Sequence, residues 1–223
     1  MRIRPSQIAL VAAMLYLLPG RLAAQSGGSP SFQPPRITSR ELNFGVSHFD
    51  GGVVSLLFQW REGIAPRLQL GLDVGLSDAG ARRSDTQLFV GGSFGWELAR
   101  ESADVPLDFL LTGGVFVGGG NYSVLRIPVG VSVGHTFLLD RNLSLTPYVH
   151  PRVAIESCKG CSDLAVDFDV GGNLQLSRLL ALRVSGVFGS SDSAGHDGFG
   201  ISLAWTPPGL RKQALVRSGL VRQ

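Results

Sequence analysis

The sequence predicts an all-β protein: an antiparallel up-and-down transmembrane β-barrel of about ten strands, with eight as the alternative count. Three observations predict it. Apolar and polar residues alternate with a period of two along most of the chain, as in strands lying between two environments. Turn signals such as Asp50-Gly51-Gly52, Gly118-Gly119-Gly120-Asn121 and Asp140-Arg141-Asn142 separate the alternating runs. The three Trp of the chain fall at the ends of such runs.

Residues 1–24 read as a secretory signal peptide. Arg2 and Arg4 precede an apolar run from Ile8 to Leu18, and Leu22-Ala23-Ala24 supplies a small-residue cleavage site before Gln25. That run is shorter than the roughly 20 apolar residues a spanning helix needs. Residues 25–40 are rich in Ser, Gly, Pro and Gln and read as a flexible leader. The barrel is expected over 41–206, followed by a basic periplasmic tail over 207–223 that contains Arg211, Lys212, Arg217 and Arg222.

Within the barrel the strands are expected at 41–49, 53–60, 67–76, 86–98, 106–118, 123–137, 143–156, 163–176, 180–189 and 198–206. The segment 67–76 shows why. Leu68, Leu70, Leu72, Val74 and Leu76 share one face, and Gln69, Gly71, Asp73 and Gly75 share the other. Most of these runs are close to the roughly 9–11 residues that a tilted strand needs to cross a bilayer. Pro128, Pro147 and Pro151 interrupt the expected ladders, because proline lacks the N–H donor; they read as bulge positions, the alternative being a weakened seam in the sixth to eighth strands that admits a lipid chain sideways.

A soluble barrel would carry the same alternation with its faces inverted, so the facing needs its own argument. The polar face is crowded with Gly, Ser and Thr, which suits a narrow interior. Lysine, the usual guardian of water-facing strands, occurs only as Lys159 and Lys212. Trp60, Trp96 and Trp205 each end a strand on its apolar face, and all three of those strands run in the same direction. With Phe137 they form an expected aromatic girdle at one interface. The apolar face is therefore expected to meet outer-membrane lipid. The lumen is expected to hold a network of Asp73, Glu97, Asp108, Arg126, His150, Arg152, Asp167, Asp169 and Arg183, since buried charges must pair.

One hairpin tests this facing. A two-residue Lys159-Gly160 turn sets Cys158 opposite Cys161, Arg152 opposite Asp167, His150 opposite Asp169, Val153 opposite Val166 and Val149 opposite Val170. Charge meets charge and apolar meets apolar. In an oxidising compartment the two Cys are expected to form a disulfide at the hairpin tip.

The chain resembles the small bacterial outer-membrane barrels of the opacity type and the outer-membrane protein A-like barrel domain. The resemblance covers 41–206 and rests on the signal peptide, the amphipathic hairpins and the last strand. There, Gly200, Leu203 and Trp205 match the spacing of the barrel assembly signal. It implies recognition by the barrel-assembly machinery during biogenesis, although Thr206 is followed by a tail where such chains often end.

The formal net charge is +3, and no basic patch carries interleaved aromatics, so nucleic acid is not an expected partner. No metal or cofactor is expected, and a monomer is favoured. The functional expectation is a non-enzymatic envelope or surface role for a barrel with a charge-filled lumen. A lipid-modifying enzyme centred on His150 and Asp169 is one alternative; a small-solute carrier is the other. Ser144 shares the inward face of the His150 strand but lies about 20 Å along it, too far to be the nucleophile.

Overall fold

A computed structural model describes residues 30–78, 86–102, 104–119, 123–158, 161–189 and 197–207. The expected signal peptide, most of the expected tail and the Lys159-Gly160 turn lie outside the described residues.

Eleven strands follow in chain order: β1 (Arg40–Phe49), β2 (Val53–Ala65), β3 (Leu68–Asp78), β4 (Thr86–Ala99), β5 (Asp108–Gly119), β6 (Val124–Gly134), β7 (Phe137–Leu138), β8 (Ser144–Cys158), β9 (Cys161–Gln175), β10 (Leu180–Gly189) and β11 (Gly198–Trp205). Each pairs antiparallel with its neighbours, β1 with β11, and β6 with β8. The two-residue β7 continues β6 along β8 in unchanged register, with Phe137 opposite Leu145 just as Gly134 lies opposite Tyr148. The expected strand 123–137 is thus one stave with a break at His135-Thr136. The result is a closed barrel of ten staves, which leaves no sheet edge unpaired. A short 3-10 turn, Asp50–Gly52, joins β1 to β2, and Gly52 takes a φ of +83° there, where a side chain would be strained.

The alternation sets the faces as the sequence indicates. Leu70, Leu72, Leu76, Val90, Phe168 and Ile201 are exposed on the outside, while Gln59, Gln69, Asp73 and Ser202 are buried inside. Water is a poor solvent for such an outer wall, and hydrocarbon is a good one. The hairpin β8–β9 has the register read from its sequence: Cys158 opposite Cys161, Arg152 opposite Asp167, and His150 opposite Asp169.

Two expectations are corrected. The prolines make no bulges. Register shifts occur at Gly63/Ala65 and Glu97/Ala99, near the ends of β2 and β4, whereas β6–β8 and β8–β9 keep one register past Pro128, Pro147 and Pro151. Proline removes a donor without adding a residue, so a rung can be lost on one side of the strand while the count is kept. The leader is the second correction. Residues 30–39 fold back from the start of β1 into the lumen, where Pro30, Phe32, Gln33, Pro34 and Pro35 are buried.

Candidate functional site

The lumen is the candidate site. Every inward residue named from the sequence is buried there: Asp73 on β3, Glu97 on β4, Asp108 on β5, Arg126 on β6, His150 and Arg152 on β8, Asp167 and Asp169 on β9, and Arg183 on β10. They divide into clusters by height. Arg126 bonds Glu156 at 2.6 Å and also pairs with Asp167. Arg152 bonds Asp169 at 2.8 Å. Nearer the end with the first and last residues of the barrel, Arg183 holds both carboxylate oxygens of Glu41 at 2.6 Å, and Arg61 reaches Glu41 Oε1 at 3.2 Å. At the rim, Arg36 bonds Asp108 at 2.6 Å and Glu101 at 3.2 Å, and Glu97 pairs with the exposed Arg100.

Glu41, Arg61 and Glu156 were not among the sequence candidates. Glu41 and Glu156 stand at the limits of the expected strands, and Arg61 falls one residue past one of them. The period-two pattern itself carries the signal, since Arg61 keeps step with Leu57 and Gln59.

The lumen is not filled by charge alone. Phe32 is completely buried and packs with the inward Leu57 and Phe89. Its seat exists because two inward positions are glycine. A Cβ on Gly45 would lie 2.9 Å from the Phe32 ring, and one on Gly200 would lie 2.6 Å from it. Phe32 has a φ of +45°, a region that costs a bulky residue about 1–2 kcal/mol. The cost is offset by its carbonyl, which accepts from Arg61 at 3.0 Å and from Arg183 at 3.2 Å. The Ser31 carbonyl accepts from Arg61 at 2.8 Å and from Gln59 at 3.3 Å. Ser132 Oγ donates to the Gln33 carbonyl at 2.7 Å. Bare carbonyls of an irregular segment thus satisfy guanidinium groups that would otherwise be buried without full partners.

His150 and Asp169 meet, as expected, but both are fully engaged. His150 Nδ1 lies 2.7 Å from Ser31 Oγ and 3.5 Å from Asp169 Oδ2; its Nε2 lies 2.7 Å from Thr112 Oγ1. The Ser31 N–H donates to Asp169 Oδ2 at 3.1 Å. Ser31 and Asp169 therefore share one ring nitrogen, so Ser31 is not set as a triad nucleophile; the hydroxyl across the ring from Asp169 is that of Thr112, on the lumen wall. Both ring nitrogens of His150 and both carboxylate oxygens of Asp169 are thus engaged within the lumen. Among the described residues, no group of His, Cys, Asp and Glu is arranged to hold a metal ion.

On the outer wall, Trp60, Trp96, Trp205 and Phe137 are all exposed. Leu42 pairs with both Trp60 and Trp205, so these two indoles flank one row of the sheet, at the end where the barrel's first and last strands begin and finish. Gly200, Leu203 and Trp205 lie on β11, Gly200 facing inward and the other two outward. His48 is outward and exposed; His135 Nδ1 lies 2.7 Å from the Pro106 carbonyl, and its ring packs edge-on against Phe137.

No protein family and no curated protein matches this sequence. Among solved structures, a bacterial polysaccharide outer membrane secretin aligns with a TM-score of 0.49 at 10% identity, covering 70% of this chain and 57% of that one. The N-terminal β-barrel domain of Pseudomonas aeruginosa OprF aligns at 0.38 and 8% identity, covering 76% and 97%. LpxR from Salmonella typhimurium aligns at 0.45 and 12% identity, covering 77% and 86%. The likeness is one of general architecture.

Proposed function

We propose that this chain is an exported outer-membrane barrel with a non-enzymatic envelope role, and that its own N-terminal segment closes the lumen. The single observation that carries this is the seating of residues 30–36 among Arg61, Arg183, Asp169 and His150, with Phe32 locked between Gly45 and Gly200. An apolar exterior above an indole row supports the membrane setting. Export by residues 1–24, contact with outer-membrane lipid, handling by the barrel-assembly machinery through Gly200, Leu203 and Trp205, and a monomeric state belong to the same proposal. So does a Cys158–Cys161 disulfide, supported by the direct cross-strand pairing of the two residues.

The test is conductance across a planar bilayer. The intact mature chain is expected to be silent. A variant lacking residues 30–36 is expected to conduct with a preference for cations. The inward carboxylates of Glu41, Asp73, Glu97, Asp108, Glu156, Asp167 and Asp169 outnumber the inward Arg61, Arg126, Arg152 and Arg183. A steady current through the intact protein would refute the closed-lumen reading.

A further inference from the structure

We infer that the barrel wall between β5 and β6, beside the Phe94 ring of β4, is a lateral port that admits the end of a lipid hydrocarbon chain into the lumen; this rests on the membrane-spanning reading above. The ladder between β5 and β6 is continuous from Asp108–Gly113 against Gly134–Val129, then resumes only at Phe116 against Arg126. The missing rungs are those of Pro128 and Ile127. On the other side of the same strand, the rungs opposite Pro151 and His150 are missing too, between Gly130–Arg152 and Val133–Val149. The middle of β6 is therefore held more weakly than its ends along both seams, and without any change of register. Backbone hydrogen bonds are what close a barrel wall to lipid, so their local absence is where it is least closed.

A cavity of about 80 Å³ lies behind this stretch. Its lining crosses the wall: Phe94 and Gly113 belong to the outward face, whereas Phe116, Phe89, Leu57 and Pro128 look inward. The wall is thin there. Gly113 faces out under the Phe94 ring, with the site of an added Cβ 2.5 Å from it, and a Cβ on the inward Gly114 would lie 2.6 Å from Phe116. Phe94, 39% exposed, is thus the outer cover of the port. Leu57, Phe89, Phe116 and Pro128 give the cavity an apolar, aromatic part, which fits methylene groups; Arg61, Asp73 and the Thr112-bonded His150 bound it with polar groups, which stop them. Asp73 Oδ1 has no hydrogen-bond partner among the described residues and marks that polar limit. The occupant is accordingly the last few carbons of one acyl chain, not a whole lipid.

The experiment reconstitutes the full mature chain in phosphatidylcholine vesicles doped with a phospholipid bearing a diazirine at the tip of its acyl chain. Irradiation, proteolysis and mass spectrometry then map the adducts. Adducts on outward residues such as Val129 and Val115 report insertion. Adducts also on Phe116, Phe89 or Asp73 are expected from the port. Phe94→Ala removes the cover and is expected to raise inward labelling severalfold, with outward labelling unchanged. Outward adducts without inward ones, in both the parent and Phe94→Ala, overturn the port and leave the membrane barrel standing. Absence of outward adducts overturns both.

Discussion

Replacing Phe32 by Ala tests the lumen stopper at its tightest point. The ring is completely buried against Leu57 and Phe89. Truncating a buried Phe to Ala costs about 3–5 kcal/mol when the surroundings cannot collapse into the gap. Collapse is limited where Gly45 and Gly200 wall the seat with no side chains to move, and only Leu57 and Phe89 can shift toward the gap, which places the cost at the lower end. The backbone at residue 32 stays at positive φ in either variant, so no strain is released. Taking about 3 kcal/mol, at 1.4 kcal/mol per tenfold, release of the segment becomes about 100-fold more frequent. The assay is amide hydrogen exchange by mass spectrometry, following the Ser31 N–H that donates to Asp169. Its exchange is expected to accelerate about 100-fold in Phe32→Ala while amides of β9 and β10 keep their protection. Unchanged Ser31 protection would show that the ring is not the anchor. Strand amides exchanging in step with Ser31 would show that the segment does not move independently of the barrel.

Other perturbations separate the parts of the lumen. Gly200→Val places a side chain where the Phe32 ring lies; it is expected to unseat residues 30–36 and raise conductance while an unboiled sample keeps its folded electrophoretic mobility. Glu41→Gln leaves Arg61 and Arg183 facing each other without their shared carboxylate. Breaking such a buried pair costs about 3–5 kcal/mol, read as a lower temperature for the shift from folded to unfolded gel mobility. His150→Ala is expected to leave the lipid profile of cells unchanged, and a lost lipid species would revive the enzymatic alternative.

The staves and their facing were legible because a barrel wall imposes one rule on every residue. Leu72 must face out and Asp73 in, and a period of two records this directly. The hairpin at Cys158 and Cys161 was legible for the same reason, since one turn fixes every pair below it. What composition concealed was the leader. Pro, Ser and Gln between residues 30 and 36 carry no periodicity, and their order comes from guanidinium groups on β2 and β10 that seek carbonyl acceptors. Arg61 is the clearest loss. It keeps perfect step with Gln59, but a strand closed at Trp60 left it in a turn. The prolines show the opposite error: a lost donor was read as an added residue, although only an insertion changes register.

The pocket that receives Phe32 is split between the two ends of the sheet: Gly45 belongs to β1 and Gly200 to β11, strands that meet only when the cylinder is complete. Glu41 and Arg183 likewise span this join from β1 to β10. The amino-terminal segment therefore has nowhere to dock on an open sheet. Once docked, it fastens the joint between the earliest and latest strands in the chain, like a bolt that slides home only after the door has shut.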